Sequence, residues 1–541
     1  MKTADQLTAG KLRGGFYSPP QLVRICLDRV AALTAGQEGL RLLEPSAGDG
    51  AFIRGLAGHP LSARVAEVTA VEVDPAEAAK CADALRPAPF AGRVIAHSVL
   101  NGARPLLGRY DVAAGNPPFV RFQFLTGDDR AGLPAVARES GVRLGGVANL
   151  WLPVLLTALT RLAEGGAFAF IVPAECFTGV SAGSLRQWLT RHTSALHADL
   201  FPPGSFPGVL QEVVVLSGRI GSPEPAGRAP GLRVSEHRAA GPAGWVHAID
   251  ENAPTWTRYL LTPGQLDAVA EASSLPAFRR FAEAGRLTVA TVTGANEYFC
   301  VDDAVLAQFG LAPWALPLLP RIRHAPGLVF TTGDQQAAQP QRRRWLLSFA
   351  AGLASPEDVP LARRYLRAGE ERGLQHRYKC RIRTPWYRVP VIRPGSLLLS
   401  KRSHRFPRLV LNAAGVVTTD TIYQGTLTAA SAGREPDLVA GFHNTVTLLT
   451  AEMEGRSFGG GVLELVPTEI GRLLVPVVPG LRAALPRLDA HLRAAGTDAE
   501  SLVTMTDTLL ATAVPGLTAG LLGTLRAARA ALAQRRLDRA G

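Results

Sequence analysis

Three short apolar runs early in the chain each stop at a loop of acids, glycines or prolines. This rhythm restricts the fold to an α/β sheet. Residues 40–43 read as a strand that ends on Glu44-Pro45-Ser46-Ala47-Gly48-Asp49-Gly50. Residues 68–73 read as the next strand, carrying Val71-Glu72-Val73-Asp74-Pro75 at its end. Residues 110–114 form a later one, followed by Asn116-Pro117-Pro118-Phe119. Helical patterns at 51–57, 76–85 and 149–163 separate these runs, with further strands expected at 93–96, 167–172 and 213–217. Strands alternating with helices are the pattern of a mainly parallel sheet covered by helices. In such a sheet, ligands bind beyond the C-terminal strand ends.

The first loop limits the ligand. Gly48 and Gly50 allow a turn that brings backbone close to a bound molecule, with a helix N-terminus facing it. A pyrophosphate-binding loop would carry G-x-G-x-x-G. Here the loop is G-D-G with Glu44 ahead of it, which suits a cationic or neutral ligand better. Glu72, at the next strand end, can accept both hydroxyls of a ribose. Together these features resemble the S-adenosylmethionine site of Rossmann-like methyltransferases. The resemblance implies a cofactor lined by Glu44, Ser46, Gly48, Gly50, Glu72 and Val73.

Asn116-Pro117-Pro118-Phe119 is similar to the catalytic motif of amino-methyltransferases. The exocyclic nitrogen of adenine is a poor nucleophile because its lone pair is delocalised into the ring. The Asn116 side-chain oxygen and the Pro117 carbonyl can accept hydrogen bonds from that amino group and favour a more tetrahedral nitrogen. The prolines stiffen the loop. Phe119 offers a flat face for a base. Pro118 is expected to touch both cofactor and substrate.

Three further features resemble gamma-class, TaqI-like type II DNA adenine-N6 methyltransferases. Gly14-Gly15-Phe16-Tyr17-Ser18-Pro19-Pro20 looks like the N-terminal motif of that class, which implies that Tyr17 and Ser18 hold the methionine part of the cofactor. Phe201-Pro202-Pro203-Gly204-Ser205-Phe206-Pro207 lies where the family places the second aromatic of a target-base sandwich. Phe206 is the candidate there and Phe201 the alternative. Thr293-Gly294-Ala295-Asn296-Glu297-Tyr298-Phe299, Lys379-Cys380-Arg381 through Pro385-Trp386-Tyr387, Pro407 through Asn412 and Gly459-Gly460-Gly461-Val462-Leu463 resemble motifs of target-recognition domains. One departure stands out. The family carries an acid after the third strand, against the cofactor's adenine amino group. Here the sequence is Ala96-His97-Ser98-Val99, so His97 or Ser98 would accept that hydrogen bond.

The charge distribution fits such a partner. Residues 321–408 hold 19 Lys/Arg against 5 Asp/Glu, while the rest of the chain holds 39 against 40. The excess of +13 therefore sits in one segment, as a polyanion-binding surface requires. Arg381, Arg383, Arg402, Arg405 and Arg408 are candidates for contacts to phosphates or base edges of duplex DNA.

The expected architecture is α/β: a Rossmann-like class I methyltransferase domain over residues 1–220 and a linker at 221–244. A mixed α+β target-recognition domain follows at 245–480, then a helical C-terminal tail at 481–541. Five scattered cysteines without a CxxC pair read as reduced thiols rather than a disulfide or zinc framework, and no metal is expected. Neither a secretory signal nor an apolar run of membrane length is apparent, so a cytoplasmic, nucleoid-associated protein is expected. A monomer would suffice for asymmetric sites, and any restriction endonuclease partner would be a separate chain. The competing readings are methylation of another amino group, in RNA or a protein glutamine, and a silent DNA-binding subunit.

Overall fold

The structure, a computed structural model, describes residues 18–120, 122–144, 149–179, 182–202, 205–206, 212–222, 231–238, 241–349, 354–458, 460–494, 496 and 498–538. It divides into two compact units, one ending at Pro263 and the other beginning at Gly264.

The first unit is built on one sheet. Its strands are β1 (Leu40–Glu44), β2 (Val65–Val71), β3 (Ala91–Ile95), β4 (Tyr110–Gly115), β5 (Leu162–Pro173), β6 (Thr193–Leu200), β7 (Val213–Ile220), β8 (Gly231–Arg238) and β9 (Gly241–Ala248). Their order among the described residues is β3-β2-β1-β4-β5-β7-β6-β8-β9. The five strands from β3 to β5 pair in parallel. β7 then inserts antiparallel between β5 and β6. The α/β, Rossmann-like class expected for this half is the one found.

Helices cover the sheet through apolar faces. Helix α1 (Pro20–Leu33) buries Leu22, Val23, Cys26, Leu27 and Val30, the spacing of one helical face. Each such aliphatic side chain, fully buried, contributes about 1.5–3 kcal/mol. Helix α2 (Ala51–Ala57) starts at Gly50, whose φ of +83° is the left-handed region that favours glycine. A Cβ at Gly50 would also lie 3.0 Å from the Ala84 Cβ and 3.2 Å from the Cys81 Cα. Both atoms belong to helix α3 (Pro75–Leu85), which opens on an Asp74 cap that accepts from the Ala76 amide at 2.9 Å. Helices α4 (Gly127–Ser140) and α5 (Trp151–Thr160) follow β4, and α5 is buried along nearly its whole length.

The described part of the segment expected as a linker forms β8 and β9, paired with each other and, through β8, with β6. Its Gly, Pro and Ala content hides the alternation that places Leu232 and Val234 in the core. β6 was not expected either. His197 and Asp199 interrupt its apolar run, and Asp199 is buried because Arg29 of α1 pairs with it at 2.5 and 2.8 Å.

The second unit is mixed α+β. Strands Gly285–Val289, Ile422–Leu427, Leu397–Ser400, Leu409–Asn412 and Val329–Phe330 form one sheet in that order. Cys300–Val301, Trp345–Leu347, Ala315–Leu319 and Val417–Thr418 form another. Helices α6 (Pro360–Glu371) and α7 (Tyr378–Arg381) precede Leu397–Ser400 in the chain. Helices α8 (Thr445–Glu454), α9 (Ala499–Ala513) and α10 (Ala519–Leu537) come after the strands of both sheets. The helices expected as a tail belong to this core. α10 buries Leu521, Leu522, Leu525, Ala528 and Leu532. Near its end, Arg536 pairs in the interior with Glu452 of α8, at 2.9 Å through Nε and 2.7 Å through Nη2.

All five cysteines are buried and none is bonded to another. Burial pushes the thiols of Cys81 and Cys300 up to about 12. No helix among the described residues is long and apolar enough to cross a membrane.

Candidate active site

β1 and β4 lie side by side although β2 and β3 separate them in sequence. The sheet therefore has its topological switch point between them, and both key loops leave their C-terminal ends.

Glu44 closes β1 and is buried, and its Oε2 has no hydrogen-bond partner among the described residues. Burial, and then the neighbouring charges of Asp49 and Glu72, hold its carboxyl well above the usual carboxylate range. A buried, orphaned acceptor suits a ligand that brings its own donor or positive charge. Gly48 has φ +53°, and a Cβ there would meet nothing within 4 Å. Its amide donates to Glu72 Oε2 at 2.9 Å, while Glu72 Oε1 accepts from the Asp74 amide at 2.8 Å. Each Glu72 oxygen so holds one backbone donor and keeps a further acceptor position. Val73, next to it, is 61% exposed, an apolar surface beside a hydrogen-bonding carboxylate.

The Asn116 loop is pinned from two sides. The Ser46 hydroxyl donates to the Asn116 carbonyl at 3.2 Å, which ties the first loop to the second. The Asn116 side-chain Nδ2 donates to the Ser18 hydroxyl at 3.2 Å. With its NH2 group so engaged, the side-chain oxygen remains as the acceptor of the pair. Further along, the Val120 amide donates to the Pro118 carbonyl at 3.0 Å, and the Leu150 amide to the Val120 carbonyl at 2.8 Å. Pro117 is buried, whereas Pro118 and Phe119 are half-buried. Tyr17 lies outside the described residues.

Phe119 and Phe206 both pack, half-buried, against the core of the first unit. Phe201 is buried, with its ring edge-on to Phe206 at 5.0 Å and stacked on His237 at 4.9 Å. His237 is held in turn by Asp199 Oδ1, 2.8 Å from its Nε2. Phe201 is thus a packing residue, and Phe206 the ring of the two that retains a solvent-facing surface.

After β3 the two candidates separate. His97 is exposed, with its ring over Gly102. Ser98 is buried, donating to Asp129 Oδ1 at 2.9 Å and accepting from the Leu100 amide at 3.3 Å. An acid does reach this place, but from the first turn of α4.

In the second unit the five candidate arginines also differ. Arg383 donates to the Thr293 and Val292 carbonyls, both at 2.7 Å, and Arg408 to those of Ala325 and Gly327 at 2.6 and 2.9 Å. Burial lowers Arg408 to about 10. These two hold loops together. Arg405 pairs with Asp498 on the surface and Arg402 reaches Glu464 at 3.4 Å, while Arg381 is exposed beside the Tyr378 ring.

The chain is similar to several known proteins. The family model for the C-terminal domain of type II methyltransferase M.Eco57I matches residues 253–511. Type II methyltransferase M.XamI of Xanthomonas campestris pv. amaranthicola is 25% identical over 488 residues, covering 87% of this chain and 86% of that one. Type II methyltransferase M.AccI of Acinetobacter calcoaceticus is 19% identical, covering 67% and 68%. The chain is similar to type II methyltransferases over most of its length. Among solved structures, the type IIL restriction-modification enzyme MmeI in complex with DNA shares the fold, with a TM-score of 0.54 and 14% identity over 95% of this chain and 72% of that one.

Asp129, which meets the candidate Ser98, was not among the residues expected at the site; its signal is the Thr126 cap, whose hydroxyl binds the Asp129 amide at 3.1 Å and Oδ2 at 2.8 Å just after the Asn116 loop.

Proposed function

We propose that this chain is a site-specific DNA methyltransferase that transfers a methyl group from S-adenosylmethionine to N6 of a flipped-out adenine in duplex DNA, within a restriction-modification or phage-defence system. The observation that carries this reading is Asn116, whose amide nitrogen is occupied by Ser18 so that its oxygen is presented as an acceptor beside the Glu44–Gly48–Glu72 cradle. The type II methyltransferase names of the sequence relatives support methyl transfer, and the DNA in the MmeI structure supports the substrate.

The residues of the cradle fit the cofactor. Glu72 would take its ribose hydroxyls and Val73 the face of its adenine. Glu44 would meet its cationic end. His97 and Ser98, with Asp129 behind Ser98, flank the position of its adenine amino group. When bound, it supplies an electrophilic methyl group on a sulfonium sulfur. The chain's own work lies on the substrate side. Asn116 Oδ1 and the Pro117 carbonyl accept the two N–H groups of the adenine amine, which draws its lone pair out of conjugation. Phe119 and Phe206 hold the base between two rings. The gain in rate comes from positioning and fixed dipoles, not from a covalent nucleophile.

The test is transfer of labelled methyl to unmethylated duplex DNA, with the modified base identified. N6-methyladenine supports the reading. Label on RNA or on protein glutamine instead overturns the substrate, and absence of cofactor binding overturns the enzyme.

Glu44 adds a pH signature. Its carboxyl is held neutral beyond the usual range, and a cation beside it favours the ionised form, so cofactor binding releases a proton. Affinity then rises with pH until Glu44 is ionised in the free protein. Calorimetry in buffers of differing ionisation enthalpy measures this release. Wild type should release a proton and Glu44→Gln should not; proton release that persists in the variant would remove Glu44 from the cationic end.

A further inference from the structure

Helix α7 presents an apolar tip in the most basic part of the chain. Tyr378 is 63% exposed and Ile382, one turn on, 61%; no other large hydrophobic among the described residues of the second unit is as exposed. Tyr378 opens α7 and Ile382 caps its end, so the two apolar side chains bracket one turn of backbone. Two cations lie against the Tyr378 ring, Lys379 Nζ at 5.3 Å and the Arg381 guanidinium at 5.6 Å from its centroid. From Arg372 to Thr419 the sequence has eleven Lys/Arg and no Asp/Glu. Glu297, an acid beside this segment, is paired with Arg377.

The tip is rigidly mounted. Cys380, between the exposed residues, is buried. Arg383 fastens the following turn to the Val292 and Thr293 carbonyls. Gly294, at φ +83°, passes directly beneath, and a Cβ there would fall 2.7 Å from the Lys379 Cβ. Thus the Thr293-Gly294-Ala295-Asn296 turn serves as a seat for α7, with Asn296 tied to Asp420 at 3.0 Å.

We propose that Tyr378 and Ile382 form a wedge that enters a base step of duplex DNA, with Lys379 and Arg381 on the flanking phosphates. This inference rests on the reading of duplex DNA as the substrate. A polyanion selects the cations, but it gives no reason for two apolar side chains held among them. Stacked bases between two phosphate strands require both.

The experiment uses the full chain and a fluorescein-labelled duplex carrying the site mapped on plasmid that the wild type has methylated. Y378A/I382A should bind about tenfold more weakly, with an unchanged slope of affinity against salt. K379Q/R381Q should instead flatten that slope by about 0.9 for each phosphate that is no longer neutralised. Y378W should retain most of the affinity. Because the four side chains are exposed, cofactor titration of each variant should match the wild type. Normal binding by Y378A/I382A, or a slope that falls as in K379Q/R381Q, overturns the wedge while leaving the substrate intact. A wild type that leaves plasmid unmodified overturns the substrate and the wedge with it.

Discussion

On the proposed function, Asn116→Ala should lower methyl transfer by about 10²–10³-fold, the size of effect seen when one preorganised hydrogen-bonding group is removed from a reacting centre, and should leave cofactor and DNA affinity close to wild type. The loss is expected in the chemical step alone because the loop keeps its other ties. The substitution removes the amide but not the loop, because Ser46 still holds the Asn116 carbonyl and the Val120–Pro118 and Leu150–Val120 backbone bonds remain. Ser18→Ala gives the graded control. It frees the Asn116 amide to rotate without removing its oxygen, so about a tenfold loss in rate is expected, the worth of one ordinary hydrogen bond. Single-turnover methyl transfer measures both. Normal transfer by Asn116→Ala would remove the residue from the chemistry, and a Ser18→Ala defect equal to that of Asn116→Ala would mean that Ser18 acts on the substrate itself.

The second large effect is on stability. Arg536 uses all five N–H donors, three of them in fully buried bonds. Two go to Glu452, and the others to the carbonyls of His404 at 2.7 Å, Arg405 at 3.0 Å and Gly461. Both members of the ion pair are almost fully buried. Arg536→Met should therefore destabilise the second unit by about 3–5 kcal/mol, since it leaves a buried carboxylate and three carbonyls unpartnered. Arg536→Met with Glu452→Leu should recover much of this loss, because replacing both charges by apolar groups is far cheaper than removing one. Chemical denaturation of the full chain, followed through the transition of the second unit, checks it. A single variant as stable as wild type would mean that the pair is solvated in solution.

The sheet was legible in the sequence wherever apolar runs were continuous. The 167–172 part of β5 is buried throughout and reads as an unbroken hydrophobic stretch. β1 and β4 are each broken by a single charge, Arg41 and Asp111, that pair with each other, and the loops at the ends of β1 and β4 named themselves by composition. β6 and β8 were hidden because their polar residues are satisfied by partners distant in sequence. Asp199 is buried by Arg29, 170 residues earlier, and His237 reaches it from β8. No local pattern encodes such pairings. Among the arginines, clustering marked the basic segment, but charge alone could not separate Arg383 and Arg408, which fasten carbonyls, from the exposed Arg381. The acid after β3 was missed for the same reason: it arrives as Asp129, 31 residues beyond Ser98.

The buried cysteines have a practical consequence. With every thiol of the chain enclosed and its ionisation suppressed by burial, alkylating reagents and mild oxidants should find no accessible thiolate in the folded protein. The chain as it stands should therefore serve as a cysteine-free background in labelling. A single cysteine placed on an exposed site such as Arg381 or Val73 would take one maleimide dye, so changes around that site can be followed by fluorescence without first rebuilding the protein.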